Sequence, residues 1–221
     1  MSFNIAIDGP AGAGKSTIAK KVAKKLGFIY VDTGAMYRAI ALYMIRNQVE
    51  KDEGQVSKQV ANADVKIRYV DGEQQVLLNG ENVSPYIRTE EVGNMASFVA
   101  KTEPVRAKLL ELQRNLAATE DVIMDGRDIG THVLPNAEVK IYLTASSAER
   151  ASRRYKELCE KGVSCNLKEI EKDIIARDEQ DMNRKIAPLK QAEDAKLIDS
   201  SHMTIDQVVE AIIDVYESKK V

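Results

Sequence analysis

Residues 9–16 read Gly-Pro-Ala-Gly-Ala-Gly-Lys-Ser, which matches the pattern GxxxxGK[ST]. Glycines let a backbone wrap closely around a phosphate chain, because they adopt conformations that a β-carbon forbids. The N–H groups of such a loop form an anion nest, and the N-terminus of the following helix adds positive dipole. Lys15 is then expected to reach the β- and γ-phosphates, and the Ser16 hydroxyl to coordinate magnesium. The stretch therefore predicts a protein that handles a nucleoside triphosphate.

The segments on either side of this loop fit the motif. Phe3 to Ile7 is a short apolar run typical of a buried strand, and it enters the loop through Asp8. After the loop, apolar residues recur at helical spacing, and Gly27 stands where a helix commonly ends on a left-handed glycine. The predicted order of strand, loop and helix is the context that the motif requires.

Composition and length indicate one soluble α/β domain with room for an insertion. The chain has 221 residues, 30% of them charged, with a net charge of −2. A nucleic-acid binder more often shows a strongly basic face, and no apolar stretch approaches the roughly 20 residues that span a membrane. Cys159 and Cys165 are spaced outside the usual zinc patterns. We therefore expect no nucleic-acid partner, no membrane, a reducing cytoplasm and a monomer, since nothing points to an obligate oligomer.

Five short apolar segments are predicted to be parallel strands, and helical patterns separate them. The segments are Phe3–Ile7, Phe28–Val31, Val122–Met124, Val139–Leu143 and Lys196–Ile198. Two helices are predicted to begin at Ser146 and Thr204, because each is followed three residues later by a glutamate or glutamine. The predicted fold class is α/β, with a five-stranded parallel sheet flanked by helices.

One region breaks this alternation of strands and helices. Val65 to Tyr69 alternates apolar and charged residues, and the turn pairs Asp71-Gly72 and Asn79-Gly80 flank the apolar run Val76–Leu78. These patterns predict a small antiparallel sheet. We interpret residues 63–100 as a subdomain inserted into a core made of residues 1–62 and 101–221. The alternative is that the segment only decorates one edge of the main sheet.

Polar residues follow the second and third predicted strands, at the edge where open α/β sheets bind ligands. Thr33 and Arg38 follow the second strand, either as a hydroxyl and a guanidinium that grip an acceptor phosphate or as a helix cap and a surface arginine. Asp125 ends the third strand, where a carboxylate can hold magnesium through water. Arg127 and Asp128 come next, and the alternative for them is an exposed ion pair in a turn.

Asp128 favours a particular kind of acceptor. A carboxylate repels phosphate, so beside an anion site it has to face another group. A base with an exocyclic amino group fits, because the N4–H group of cytosine donates a hydrogen bond to a carboxylate, whereas the uracil carbonyl has no hydrogen to donate. Leaving the carboxylate unpaired on uracil costs about 1–3 kcal/mol.

Arginines are concentrated between residues 150 and 184. Helical spacing places two groups on common faces: Arg177 with Asp181 and Arg184, and Arg150 with Arg153 and Arg154. A solvated surface helix explains such patterns, and so does a lid over about residues 150–188 that closes on the phosphates and excludes water. The spacing leaves open which arginine touches the transferred group.

With these segments in place, the chain resembles bacterial-type cytidylate kinases over essentially its full length. The most specific matches are Asp-Thr-Gly-Ala-Met-Tyr-Arg at 32–38 and Asp-Gly-Arg-Asp-Ile-Gly-Thr at 125–131. Further matches are Asn94 to Ser97, Arg106, and Arg177 through Leu189. The resemblance implies a P-loop kinase core with an inserted NMP-binding subdomain and a helical lid. It implies transfer of a phosphoryl group from ATP to CMP or dCMP, with magnesium.

The resemblance also implies a role for each matching residue. The residues implied to bind ATP form the loop: Gly9, Pro10, Ala11, Gly12, Ala13, Gly14, Lys15, Ser16 and Thr17. Those implied to bind the acceptor are Thr33, Arg38 and Arg127 for the CMP phosphate, Ser97, Arg106 and Asp128 for cytosine, and Arg177, Asp181 and Arg184 for the sugar and phosphates. The implied catalytic groups are Lys15, Arg127, Arg177 and Arg184. Ser16, and Asp125 through water, are implied to serve magnesium.

Two other classes are weighed against this interpretation. A kinase for another small acceptor, such as an adenylate, uridylate or shikimate-type enzyme, shares the loop and lid but not the Gly126-Arg127-Asp128 segment together with a large insertion. A GTPase-like switch or ATP-dependent assembly factor is a different class, and the guanine-reading Asn-Lys-x-Asp motif of GTPases is absent from the chain.

Overall fold

The computed structural model describes residues 2–220. The described chain divides into two compact units. One contains residues 29–120 together with residue 2, and the other contains residues 3–28 and 121–220. The first unit therefore extends beyond residues 63–100 on both sides, and the treatment of 63–100 as an inserted subdomain stays a prediction.

The second unit is built around β1 (Asn4–Asp8), which pairs in parallel with β6 (Val122–Gly126) on one side and β7 (Val139–Thr144) on the other. β7 pairs in turn with β8 (Lys196–Asp199), also in parallel. The central strands read as nearly continuous apolar runs, as expected for parallel strands covered on both faces. With β2 (Ile29–Asp32) the sheet has five strands in the order β2-β6-β1-β7-β8, which confirms the predicted fold class.

Helices surround these strands within the second unit. Their bounds are α1 Lys15–Leu26, α6 Ser147–Glu160, α7 Leu167–Asn183 and α8 Ile205–Lys219. Gly27 ends α1 in the left-handed conformation, with φ of 73°, as predicted. Ser146 caps α6, and Thr204 and Gln207 form a complete capping box at the start of α8, so both predicted helix starts are confirmed.

The first unit places β2 beside helices and a small antiparallel sheet. Its helices are α2 Thr33–Arg46, α3 Glu53–Gln59, α4 Glu90–Val99 and α5 Glu103–Thr119, with a 3₁₀ turn at Val60–Asn62. The small sheet has the order β3-β4-β5, with bounds Val65–Val70, Glu73–Leu78 and Glu81–Asn82. Both predicted turns are present, because φ is positive at Asp71, Gly72, Asn79 and Gly80.

Each unit buries its own set of large apolar side chains. In the first unit these include Met36, Ile40, Met44, Ile87 and Leu109. In the second they include Ile5, Ile7, Ile123, Met124, Ile141 and Leu143, which come from the three inner strands. Across residues 2–220, no helix combines the length and apolar character needed to cross a membrane.

Candidate active site

The loop between β1 and α1 requires glycine where it passes other backbone. A β-carbon on Gly9 would lie 1.9 Å from the Leu143 carbonyl oxygen, and Gly9 has a φ of 151°. Gly12 has a φ of 76°, and a β-carbon there would meet the β-carbon of Arg150 at 3.4 Å. The motif glycine Gly9 is therefore fixed by the approach of the loop to β7. Ser16 and Thr17 follow the loop in the first turn of α1.

Lys15 begins α1 and is buried, with 6% of its surface exposed. Its Nζ donates to the carbonyl oxygens of Gly9 and Pro10, both at 2.8 Å. Burial and the nearby Arg127 cation lower the pKa of Lys15 to about 7, although Asp125 acts in the opposite direction. Lys15 is therefore held against the carbonyls of its own loop, in surroundings that disfavour its positive charge. A bound polyanion would favour the charged form again.

A hydroxyl and a carboxylate meet beside the loop. Ser16 Oγ donates to Asp125 Oδ2 at 2.6 Å, and Asp125 is 3% exposed at the end of β6. Hard oxygen groups of this kind are the ligands that Mg²⁺ takes in phosphate-transferring sites, usually one or two carboxylates with water and substrate oxygens. The donor set therefore fits the magnesium ion that the loop motif predicts.

Two arginines share this region with Lys15. Arg127 Nε donates to Asp181 Oδ2 at 2.8 Å. Burial and the positive charge of Arg127 lower the pKa of Arg177, and Arg177 Nε is buried with no hydrogen-bond partner within residues 2–220. Lys15, Arg127 and Arg177 therefore form a group of cations, defined here as the cation cluster, in which the charge of Arg127 disfavours the charged forms of Lys15 and Arg177. Such a cluster is suited to bind phosphate groups.

The predicted helix face of α7 lies at the end of β6. Asp181 reaches Arg127, and Arg184 Nη2 donates to Asp128 Oδ1 at 2.9 Å. Arg184 is the C-cap residue of α7 and also donates through Nε to the Ala187 carbonyl. The structure therefore brings together four of the second-unit residues that the sequence predicted, in two ion pairs that join Arg127 and Asp128 to Asp181 and Arg184.

Asp8 is a buried group of this region to which the sequence analysis gave no role. Its Oδ1 accepts the Ile129 N–H at 2.8 Å and its Oδ2 accepts the Gly130 N–H at 2.7 Å. Burial raises its pKa to about 6 despite these two hydrogen bonds. Asp8 thus joins the start of the phosphate loop to the π-helical turn Ile129–Val133, directly after Asp128. Its one sequence signal is a charged residue at the end of an apolar strand.

The arginines of α6 do not act as one face. Arg150 is buried and contacts the phosphate loop, α7 and the Ala145 carbonyl. Arg153 Nη2 donates to the Ser200 carbonyl at 2.7 Å, and Arg154 forms a surface ion pair with Glu157. Helical spacing predicted that these three arginines share one face. In the structure each of them has different neighbours, so the predicted common face is not present.

The first unit holds the other predicted acceptor residues. Thr33 is buried at the start of α2. Arg38 Nη1 donates to the Ile87 carbonyl at 2.9 Å, and its guanidinium lies against Gly93, whose carbonyl accepts the Ser97 hydroxyl at 3.2 Å. Arg38 and Ser97 are thus neighbours around one residue of α4.

Arg106 contacts α2 through the aromatic ring of Tyr37. It is 5% exposed, its guanidinium lies 5.8 Å from the centre of the Tyr37 ring, and Nη1 donates to the Ala100 carbonyl at 3.3 Å. The structure therefore places Arg38, Ser97 and Arg106 along α2, α4 and α5 of the first unit.

Asp32 fixes the start of α2 beside Thr33, and sequence analysis did not assign it a separate role. Its Oδ1 accepts the Ala35 N–H at 2.9 Å as the helix cap, and its Oδ2 pairs with Arg88 at 2.5 Å. The Gln74 side chain bonds both the N–H and the carbonyl of Asp32, at 2.7 and 3.2 Å. The small antiparallel sheet thereby holds the turn that carries Thr33.

The glycine loop, the buried lysine and the Ser16–Asp125 pair define a P-loop nucleotide-binding protein. The family model described as cytidylate kinase matches residues 5–218. A protein named cytidylate kinase from Caldicellulosiruptor saccharolyticus is 51% identical over 97% of this chain and 95% of its own length. One from Alkaliphilus metalliredigens is 48% identical over 100% of this chain and 99% of its own. The chain belongs to the cytidylate kinase family.

A solved structure shares the fold at low sequence identity. The crystal structure of an uncharacterized protein from Eubacterium ventriosum has a TM-score of 0.56 and 12% identity, and the similarity covers 98% of this chain and 99% of that one. At this identity the likeness concerns the fold alone.

Proposed function

We propose that the protein transfers the γ-phosphoryl group of ATP to CMP and dCMP, giving ADP and CDP or dCDP. The observation that carries this proposal is the cation cluster of Lys15, Arg127 and Arg177 beside the phosphate loop. Phosphoryl transfer needs positioning and positive charge around the migrating group more than it needs covalent help from the protein. Membership of the cytidylate kinase family supports the choice of acceptor.

The donor half of the site is the loop from Gly9 to Thr17. We propose that its N–H groups hold the ATP phosphates and that Lys15 exchanges the carbonyls of Gly9 and Pro10 for phosphate oxygens. Magnesium supplies neutralisation of phosphate charge when bound. Ser16 would hold it directly and Asp125 through water, consistent with their contact at 2.6 Å.

The transferred group would be surrounded by cations from three elements. Lys15 comes from α1, Arg127 from the end of β6, and Arg177 and Arg184 from α7 and its C-cap. The buried Arg177 Nε, which has no hydrogen-bond partner within the described chain, is suited to a phosphate oxygen. Charges fixed in advance stabilise the negative charge of the transition state without having to reorganise during the reaction.

The acceptor half of the site would contain residues from both units. Thr33, Arg38 and Arg127 would hold the CMP phosphate. Ser97, Arg106 and Asp128 would contact cytosine, and Arg177, Asp181 and Arg184 would serve the sugar and phosphates. The ion pairs of Arg127 with Asp181 and of Asp128 with Arg184 support the second-unit part of this assignment, because they hold the four side chains near one another.

The proposal also covers the domain organisation, the oligomeric state and the location of the protein. Residues 63–100 would form the NMP-binding subdomain and about 150–188 the lid, and the protein would act as a monomer in the cytoplasm. Its partners are small nucleotides.

Initial rates with ATP, magnesium and one acceptor at a time test the proposed reaction. CMP and dCMP should be phosphorylated in clear preference to UMP, AMP and shikimate. A preference for any other acceptor would contradict the proposal. Hydrolysis of nucleotide that does not depend on CMP, if it were the main activity, would support the GTPase-like or assembly-factor class instead.

A further inference from the structure

Ala11 lies inside the phosphate loop, and side chains hold both of its backbone polar groups. Its N–H donates to Asp178 Oδ1 at 3.2 Å, and its carbonyl accepts from Arg150 Nη1 at 2.9 Å. Arg150 Nη1 also donates to Asp178 Oδ2 at 2.6 Å. The three hydrogen bonds close a ring, defined here as the Ala11 clamp, that contains one loop residue, one residue of α6 and one of α7.

The clamp is buried and its geometry is tightly determined. Arg150 and Asp178 are each 6% exposed, and Arg150 Nε donates to the Ala145 carbonyl at 2.8 Å. Gly12 packs against Arg150, since a β-carbon on Gly12 would lie 3.4 Å from that of the arginine. Replacing a buried ion pair by apolar residues is often neutral or stabilising. Stability alone is therefore a weak reason for this pair.

A phosphate loop needs a fixed backbone, and this one is rich in glycine. Gly9, Gly12 and Gly14 all have positive φ, and such residues leave the chain unusually free. Binding ATP with a mobile loop would include the cost of ordering it, and groups that order the loop beforehand reduce that cost. Ala11 is the loop residue whose peptide groups are held by a buried charged pair from outside the loop.

We propose that Arg150 and Asp178 are positioning residues that hold the phosphate loop ready for ATP through the backbone of Ala11. The proposal rests on the proposed function for the identity of the nucleotide. The clamp acts through Ala11 and not by contact with the transferred group. It also joins the loop to α7 one residue from Arg177, so the loop and a catalytic arginine share one support.

The test separates positioning from stability by three variants. Arg150→Met and Asp178→Leu each leave one buried charge without its partner, so both should lower the thermal midpoint and weaken ATP binding. The double variant Arg150→Met/Asp178→Leu removes both charges of the pair, so its thermal midpoint should return toward that of the wild type. Its ATP affinity should stay about tenfold weaker, because the Ala11 N–H and carbonyl still lack their partners.

ATP affinity is measured by calorimetry without acceptor, and KM values for ATP and CMP by steady-state rates. We expect the KM for ATP to rise with its dissociation constant and the KM for CMP to change less than about twofold. An ATP dissociation constant for the double variant equal to that of the wild type would overturn the proposal, because a purely structural pair predicts recovery of affinity together with stability.

A milder variant and a control complete the design. Asp178→Asn keeps the size of the side chain and one oxygen, and should weaken ATP binding severalfold while remaining folded; unchanged affinity in this variant also overturns the proposal. Asp206→Asn removes a carboxylate from the exposed pair with Lys21 and should change neither affinity nor KM. Because ATP binding is measured without CMP, failure of the wild type to phosphorylate CMP would refute the proposed function and leave this test intact.

Discussion

Asp128 and Arg184 form an ion pair at 2.9 Å in which their side chains are 7% and 6% exposed. A carboxylate that is buried this far is kept in one orientation by its cationic partner, because an unpaired buried charge is costly. Arg184 therefore sets the direction of the carboxylate that we propose for base recognition. Asp8 supports the residues that follow Asp128, because its carboxylate accepts the N–H groups of Ile129 and Gly130.

Asp128→Asn should reduce the preference for CMP over UMP. A neutral amide both donates and accepts, so it can pair with the uracil carbonyl as well as with the cytosine amino group. We expect the ratio of kcat/KM for CMP to that for UMP to fall about tenfold, which corresponds to about 1.4 kcal/mol. The ratio is measured on one enzyme preparation, so partial unfolding of the variant does not affect it. An unchanged ratio would remove Asp128 from base recognition.

Lys15→Ala should lower kcat about 100- to 1,000-fold, the usual effect of removing one preorganised donor to a developing charge. The fold should persist, because the protein already disfavours the charged lysine and the lost contacts are two hydrogen bonds to the loop carbonyls. Circular dichroism and a thermal melt check the fold, and single-turnover rates check the chemistry. Near-normal turnover in a folded variant would show that the lysine does not serve the phosphate chain.

ATP binding should take up a proton at mildly alkaline pH. Burial and Arg127 lower the pKa of Lys15 to about 7, so above that pH the amine is increasingly neutral. A triphosphate favours the charged form, so binding raises the pKa and the amine gains a proton. Affinity for ATP should therefore fall as the pH rises from about 7.5 to 9, by at most about tenfold per pH unit.

Calorimetry in two buffers of different ionisation enthalpy measures this proton uptake. Lys15→Arg is the matched control, because a guanidinium keeps its charge throughout this range and should take up no proton. Equal heats in the two buffers for the wild type would mean that Lys15 is charged before ATP arrives.

Local patterns predicted the elements of this fold and the loop, whereas the supports of the site depend on contacts between distant residues. The Asp71-Gly72 and Asn79-Gly80 turns follow from the residues themselves, since positive φ favours these types. Asp178, in contrast, meets a loop residue 167 positions away. The spacing of Arg177 and Asp181 predicts a functional face on the same helix that does not include Asp178.

Asp8 shows the same limit of sequence analysis. Its partners are 121 and 122 residues away along the chain, and they are backbone N–H groups, which carry no residue signature. Helical spacing predicts a common face for Arg150, Arg153 and Arg154, but it does not show which of the three arginines is buried. The burial of Arg150 follows from the packing of α6 against the loop, which only the folded chain contains.

Asp8 should make the wild type lose stability as the pH rises from about 4 to 6. Burial raises the pKa of Asp8 from 3.8 to about 6, so the folded protein binds this proton more tightly than the unfolded chain does. The stabilisation is therefore complete below the unfolded pKa and is lost as the pH rises through the folded one. Its size is at most about 3 kcal/mol.

The variant Asp8→Asn isolates this contribution, because an amide does not titrate. The free energy of unfolding by urea is measured for both proteins at steps between about pH 4 and 8. The value for the wild type minus that for Asp8→Asn should fall from about pH 4 to 6 and be level above about 7. A constant difference for Asp8→Asn would mean that burial does not hold the Asp8 proton, and that the carboxylate is ionised at the start of the loop throughout this range.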